Sequence, residues 1–132
     1  MRITVDEARE YFAHPSQQKP FGITPEDLRD EPFEYWASGP LCGIAHPFPY
    51  RGIWMVHFAA KPEGMGALVP HAKALMREFW EAKQPERLIG MTPVRLRAAV
   101  AFVRRVGFVQ DGILPLPDGD VVVSGWRPKD GD

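Results

Sequence analysis

A single cysteine, Cys42, is all the chain contains; no internal disulfide can form, and a reducing compartment suits it. Neither sign of charge is in excess: 16 basic residues against 17 acidic ones leave a net charge of −1, so nothing pulls the whole molecule toward nucleic acid or an anionic membrane. No apolar run reaches the roughly 20 residues of a membrane span, and no charged-then-apolar leader opens the sequence. Cysteine–histidine spacings for zinc are absent, as is the G-x-x-x-x-G-K-[ST] phosphate loop. These absences point to a soluble, cytoplasmic protein with no metal, no nucleic-acid partner and no membrane partner.

What is present is ordinary globular material. Hydrophobic residues make up 45% and charged residues 25% of the 132 positions, enough for one core and a single domain over residues 1–132. Fourteen prolines mark turn-rich connections, many of them in the first half. Residues 1–32 read as a helical N-terminal part. Thr4 and Glu7 have the spacing of a capping box and predict a helix over Val5–Ala13. His14–Gly22 reads as a loop, and Thr24-Pro25-Glu26-Asp27 starts a short second helix that Pro32 limits.

Residues 33–127 carry the sheet and the two main helices, and 128–132 read as a frayed tail. Phe33–Ala37, Leu41–His46 and Gly52–Ala60 are strands separated by turns. In the third, Trp54, Val56 and Phe58 share one face, and Ile53, Met55 and His57 the other. Both faces are mostly apolar, which predicts a central strand covered on both sides, with His57 as its one ionisable residue. Leu68, Ala72, Leu75, Met76 and Phe79 line one face of a helix that Pro85 ends. Arg87–Met91 is a short strand, and Thr92-Pro93 starts a second long helix. Its buried stripe is Leu96, Ala99, Val100, Val103 and Val106, and Gly107 is its left-handed terminus. Phe108–Leu114 and Asp120–Trp126 are the last strands. The strand–helix–strand over 52–91 predicts a parallel crossover, and the turn-linked strands predict antiparallel pairing. The expected fold class is α/β (α+β): a mixed, mostly antiparallel central sheet with helices on both faces.

Between the longest strand and the first main helix lies Lys61-Pro-Glu-Gly-Met-Gly66. Two glycines one residue apart, opening a helix, let backbone N–H groups converge on an anion at the positive end of the helix dipole. Pro-Glu-Gly is equally ordinary turn composition, so the residues alone leave a phosphate site and a plain turn both open. In this position, however, Lys61-x-x-Gly64-x-Gly66 resembles the Q/R-x-x-G-x-G/A loop of the GNAT superfamily of N-acetyltransferases. Ala99-Val-Ala-Phe102 running into Gly107-Phe108 is similar to the same family's N-x-x-A-x-x-F-Y-x-x-x-G-F pattern.

The resemblance implies the acyl-CoA N-acyltransferase fold over roughly residues 33 to 127. It implies an enzyme that moves an acetyl group from acetyl-coenzyme A to an amine of a small molecule or protein. Lys61, Glu63, Gly64, Met65, Gly66 and Ala67 would hold the cofactor's pyrophosphate, with Met55, Val56, His57 and Phe58 beside its pantetheine arm. His57 then stands where it can take a proton from the acceptor amine; a core histidine bonded to a carbonyl is the other reading. Glu34 is a second candidate base, or a solvent-facing strand residue. Ser124 is offered, by strand position, as a donor replacing a missing tyrosine. His46 is a weaker candidate, Arg95 and Arg97 can reach a phosphate, and Cys42 reads as a small buried hydrophobe. The chain departs from the family at Leu96, where the coenzyme-binding asparagine would stand, and at Val103, where the thiolate-protonating tyrosine often sits. With a first strand compressed into Met1–Thr4 or absent, these departures keep a second reading open. It is a catalytically weak or inactive binding or structural module, like the small degenerate members carried by phage. A homodimer is compatible with either.

Overall fold

A computed structural model describes residues 1–18, 23–61 and 67–129. Its seven-stranded sheet has the order β1-β2-β3-β4-β5-β7-β6. The strands are β1 Arg2–Ile3, β2 Glu34–Ser38, β3 Leu41–Pro47, β4 Ile53–Ala60, β5 Arg87–Pro93, β6 Val109–Leu114 and β7 Val121–Trp126. The helices are α1 Val5–Arg9, α2 Pro15–Gln18, α3 Leu68–Lys83 and α4 Arg97–Val106. All pairings are antiparallel except β4 with β5, which the α3 crossover makes parallel.

Strand alternation sorts the core into two layers. Trp36, Leu41, Ala45, Val56, Ala60, Leu88 and Trp126 face α3 and α4, where Ala72, Leu75, Met76, Phe79 and Val106 meet them. Tyr35, Cys42, Ile44 and Ala59 face the N-terminal segment and pack on Ala8, Tyr11, Phe12 and Leu28. Helices therefore cover both faces. Thr4 and Glu7 form the expected capping box on α1, which passes into a 3-10 turn over Glu10–Phe12. Gly107 ends α4 at φ 111°, a conformation that strains any residue with a Cβ.

Three readings of the sequence are corrected, and one that was left open, the first strand, is decided. The segment His14–Gly22 contains the short helix α2; residues 19–22 lie outside the described residues. The first strand is present as β1, compressed to Arg2 and Ile3, and pairs with Trp36 and Tyr35. Thr92 and Pro93 do not start a helix: they extend β5 opposite Val122 and Val121, and α4 begins at Arg97 with Leu96 as its cap. Along α4 only Val106 is fully buried; Leu96, Ala99, Val100 and Val103 are half-buried, because that side of the helix borders a gap in the sheet.

Candidate functional site

Backbone hydrogen bonds define the gap. Phe48 N–H donates to the Ile53 carbonyl at 2.9 Å, and Lys61 N–H to the Pro40 carbonyl at 2.8 Å. These two bonds fix the phase of the β3–β4 ladder. Odd-numbered residues of β4 bond β3, and even-numbered ones turn their N–H and C=O the other way. On that side β5 pairs only with Ile53, Trp54 and Met55, then turns away to pair with β7. Phe58 and Ala60 are left facing open space. The Ala60 N–H donates to Gln17 Oε1 at 2.9 Å, whereas the Phe58 N–H and carbonyl have no partner among the described residues.

A cleft of about 520 Å³ runs along this edge, walled by Leu41, Phe58, Ala60, Leu68, Ala99 and Phe102. The first turns of α3 and α4 border it through Leu68, Leu96 and Arg97. Neither cap residue, Ala67 or Leu96, supplies a side-chain hydrogen bond, so the positive ends of two helix dipoles lie beside the cleft. A narrower wedge of about 100 Å³ continues it between the diverging strands, under α4, past Val56, Gly90, Thr92, Val103 and Phe108. Gly90 keeps the wedge open: a Cβ there would stand 3.3 Å from Phe108 Cε2.

On the opposite face of the sheet a third cleft, about 170 Å³, is lined by Ile23, Leu28, Phe33, Tyr35, Ile44 and His46, with Asp27 and Arg29 also on its wall. His57 borders both this cleft and the wedge. Register sets Ile44 opposite His57 and Met55 opposite His46, which makes the two histidines diagonal neighbours. Their Nε2 atoms are 3.3 Å apart and their rings stack at 5.4 Å. His46 Nδ1 lies 3.4 Å from the Pro47 carbonyl. A carbonyl only accepts, so that nitrogen carries a proton. Neutral His46 then has its lone pair on Nε2, and His57 Nε2–H donates to it. This assignment, inferred from the bonding pattern, leaves a lone pair on His57 Nδ1. Burial, with the neighbouring His46 adding to it, pushes the His57 imidazole down to about 4.

The sequence-derived residues fall into three groups. Val56, His57 and Phe58 line the wedge, and Ser124 lies behind Gly90 on the neighbouring strand. Ser124 Oγ is buried, has no hydrogen-bond partner among the described residues, and lies 3.8 Å from the point where a Gly90 Cβ would stand. Elsewhere, Met55 closes the β4–β5 pairing opposite Ile89 and its side chain is buried. Lys61 reaches the N-terminal layer, where its ammonium pairs with Glu10 at 3.5 Å and sits 4.7 Å from the Tyr11 ring centroid. Glu34 is not brought to His57. It lies two strands away, facing α3, with Lys83 Nζ at 2.6 Å and the Trp36 indole N–H donating to it at 3.3 Å. Glu63, Gly64, Met65 and Gly66 lie outside the described residues. Sequence reasoning missed Gln17 and the pairing of His46 with His57; only strand register carries the latter. Among the described residues no group of three metal-ligating side chains exists, and no helix is long and apolar enough to cross a membrane.

The chain has the fold of the GNAT N-acetyltransferases. An aminoglycoside acetyltransferase, AAC(6')-Ib, solved in complex with coenzyme A, superposes with a TM-score of 0.74 over 98% of this chain and 94% of its own, at 12% identity. The ribosomal-protein-S5-alanine acetyltransferase of Vibrio fischeri gives 0.69 over 100% and 93%, at 13% identity. The ribosomal-protein-S18-alanine N-acetyltransferase of Escherichia coli gives 0.67 over 95% and 90%, also at 13% identity. No family model matches the chain, no curated protein matches it in sequence, and none of these three structures speaks to a phage origin.

Proposed function

We propose that the protein is an acetyl-coenzyme A-dependent N-acetyltransferase acting on an amine. The observation that carries this reading is the unpaired edge of β4 at Phe58, opening into an apolar cleft that two helix N-termini and Arg97 border. An extended amide chain would be held there by the free N–H and carbonyl of Phe58, with Leu41, Ala99 and Phe102 lining its path. Arg97 and the two dipoles favour its phosphates. When bound, the cofactor supplies an activated acetyl thioester; the protein supplies position and proton transfer.

Positioning provides much of the rate, since bound reactants reach high effective molarities. His57 Nδ1, with its lone pair, takes the proton that the amine sheds. At about 4 His57 holds that proton poorly, so Nε2–H passes to His46 Nε2 and the His46 Nδ1 proton leaves at the surface. Ser124 Oγ is the buried hydroxyl available to donate toward the departing sulfur, beside a wedge where Val103 offers none. Well-placed acid–base groups contribute roughly 10²–10⁴-fold.

Coenzyme A is expected to raise the melting temperature, and acetyl-coenzyme A with a panel of primary amines to release free thiol. Ala99→Trp, at the shared wall of cleft and wedge, is expected to abolish both. A melting temperature indifferent to millimolar coenzyme A rejects the reading. A shift without thiol release on any amine leaves a binding module, the alternative that Leu96 and Val103 motivate.

A further inference from the structure

We propose that the cleft over His46 and His57 is the acceptor site, and that it takes a primary amine on one small apolar body, aryl or branched alkyl, with no second positive charge. That an amine is the ligand rests on the acetyltransferase reading; the class of amine rests on the cleft itself.

The walls are hydrocarbon. Ile23, Leu28, Phe33 and Ile44 surround the two imidazoles, and the Phe33 ring meets His46 edge-on at 5.3 Å. At about 170 Å³ the cleft is well below the roughly 300 Å³ at which drug-sized pockets begin, so a single ring or short branched chain fills it.

Charge decides the class. A second ammonium carried into this space needs a carboxylate partner. Among the described residues lining the cleft only Asp27 has one, and its Oδ2 already accepts from Thr24 N–H at 2.8 Å and from the Thr24 hydroxyl at 3.1 Å. Arg29 adds a positive charge, with Nη1 donating to the Glu26 carbonyl at 3.0 Å. The Tyr35 hydroxyl is committed to the Arg29 carbonyl at 2.5 Å. The two histidines bring no negative charge. Asp27 stays ionised, but Arg29 on the same wall interacts with it and offsets its charge, so a polycation meets a lining with no net negative charge. A single amine does better, because apolar walls disfavour its ammonium form and deliver it neutral to the His57 lone pair.

The experiment uses phenethylamine and spermidine as probes on the full chain. In the absence of cofactor, phenethylamine at millimolar concentration is expected to shift the imidazole C–H resonances of His46 and His57, and spermidine to leave them in place. With acetyl-coenzyme A, acetylation of phenethylamine is expected to exceed that of spermidine at least 100-fold in kcat/KM. Phe33→Ala, a half-buried position, is expected to weaken phenethylamine binding about tenfold while the circular dichroism stays native. Spermidine shifting the histidines as strongly as phenethylamine, or phenethylamine shifting neither, overturns the proposal. If phenethylamine binds over the histidines and no acetyl group moves, the cleft assignment stands and the transferase reading falls. If both amines are acetylated equally, the reverse holds.

Discussion

Replacing Glu34 by glutamine separates a structural carboxylate from a catalytic one. Glu34 is 8% exposed. One oxygen is 2.6 Å from Lys83 Nζ; the other accepts from the Trp36 indole at 3.3 Å and lies 3.9 Å from Arg2 Nε. Removing one member of a fully buried ion pair costs about 3–5 kcal/mol. Here the abandoned cations are less confined: the Lys83 side chain is 29% exposed and that of Arg2 53%, so both can rehydrate. Glutamine also keeps an oxygen for the indole. The loss expected for Glu34→Gln is therefore about 1–2 kcal/mol. For a chain of this length it corresponds to a melting temperature lower by roughly 3–12 °C. Urea titration measures the loss, and a cycle with Lys83→Met tests its origin: the two changes should couple by about 1 kcal/mol. Thiol release per folded molecule should stay within twofold of the parent protein. Unchanged stability together with a hundredfold fall in turnover refutes this reasoning and restores Glu34 as a base.

Three further outcomes follow from the same geometry. In the unfolded chain His57 titrates near 6.5, while in the fold burial holds it at about 4. The unfolded state therefore takes up the proton first, so stability is full above about pH 6.5 and falls, by up to about 3 kcal/mol, as pH drops toward 4. His57→Phe should flatten urea midpoints across that window, and an unaltered profile contradicts the assignment. Gly90→Val should fill the wedge, since a Cβ there already stands 3.3 Å from Phe108 Cε2; a native circular dichroism spectrum with at least tenfold lower turnover is expected, and undiminished turnover counts against the wedge. Cys42 is 0% exposed and burial pushes its thiol up to about 12, so a disulfide reagent should label it only as fast as the protein opens. Labelling within seconds under native conditions contradicts that burial.

The fold was legible where period and punctuation agree. Alternation along β4 assigned Val56 and His57 to opposite faces, as found: Val56 packs in the layer of α3 and α4 and His57 borders the cleft on the other face; Gly107 ended α4 as its missing Cβ allows. Thr92-Pro93 misled because a strand end and a helix cap share residue types; pairing with Val121 and Val122, a contact distant in sequence, decided between them. The α4 stripe looked fully buried because periodicity reports apolarity and not whether a neighbouring strand is present to cover it. For the site, His57 stood out as an ionisable residue in an apolar strand. Its partner His46 emerged only from register, and the reach of Gln17 to Ala60 spans 43 positions, beyond any local pattern. Alternation placed Glu34 on a strand face without saying that α3, not water, covers that face. The motif that first suggested a phosphate, around Gly64 and Gly66, lies outside the described residues.

The short parallel seam between β4 and β5 has a mechanical corollary. Among the described residues, strands β1–β4 form one panel and β5–β7 another, paired at Ile53, Trp54 and Met55 and tethered by α3. A linear guest lying in the opening would act as a splice, bonding one panel at Phe58 and packing on the other. Occupancy should then slow amide exchange in both panels together, the far β7 included, turning a loosely jointed pair of plates into one stiff body.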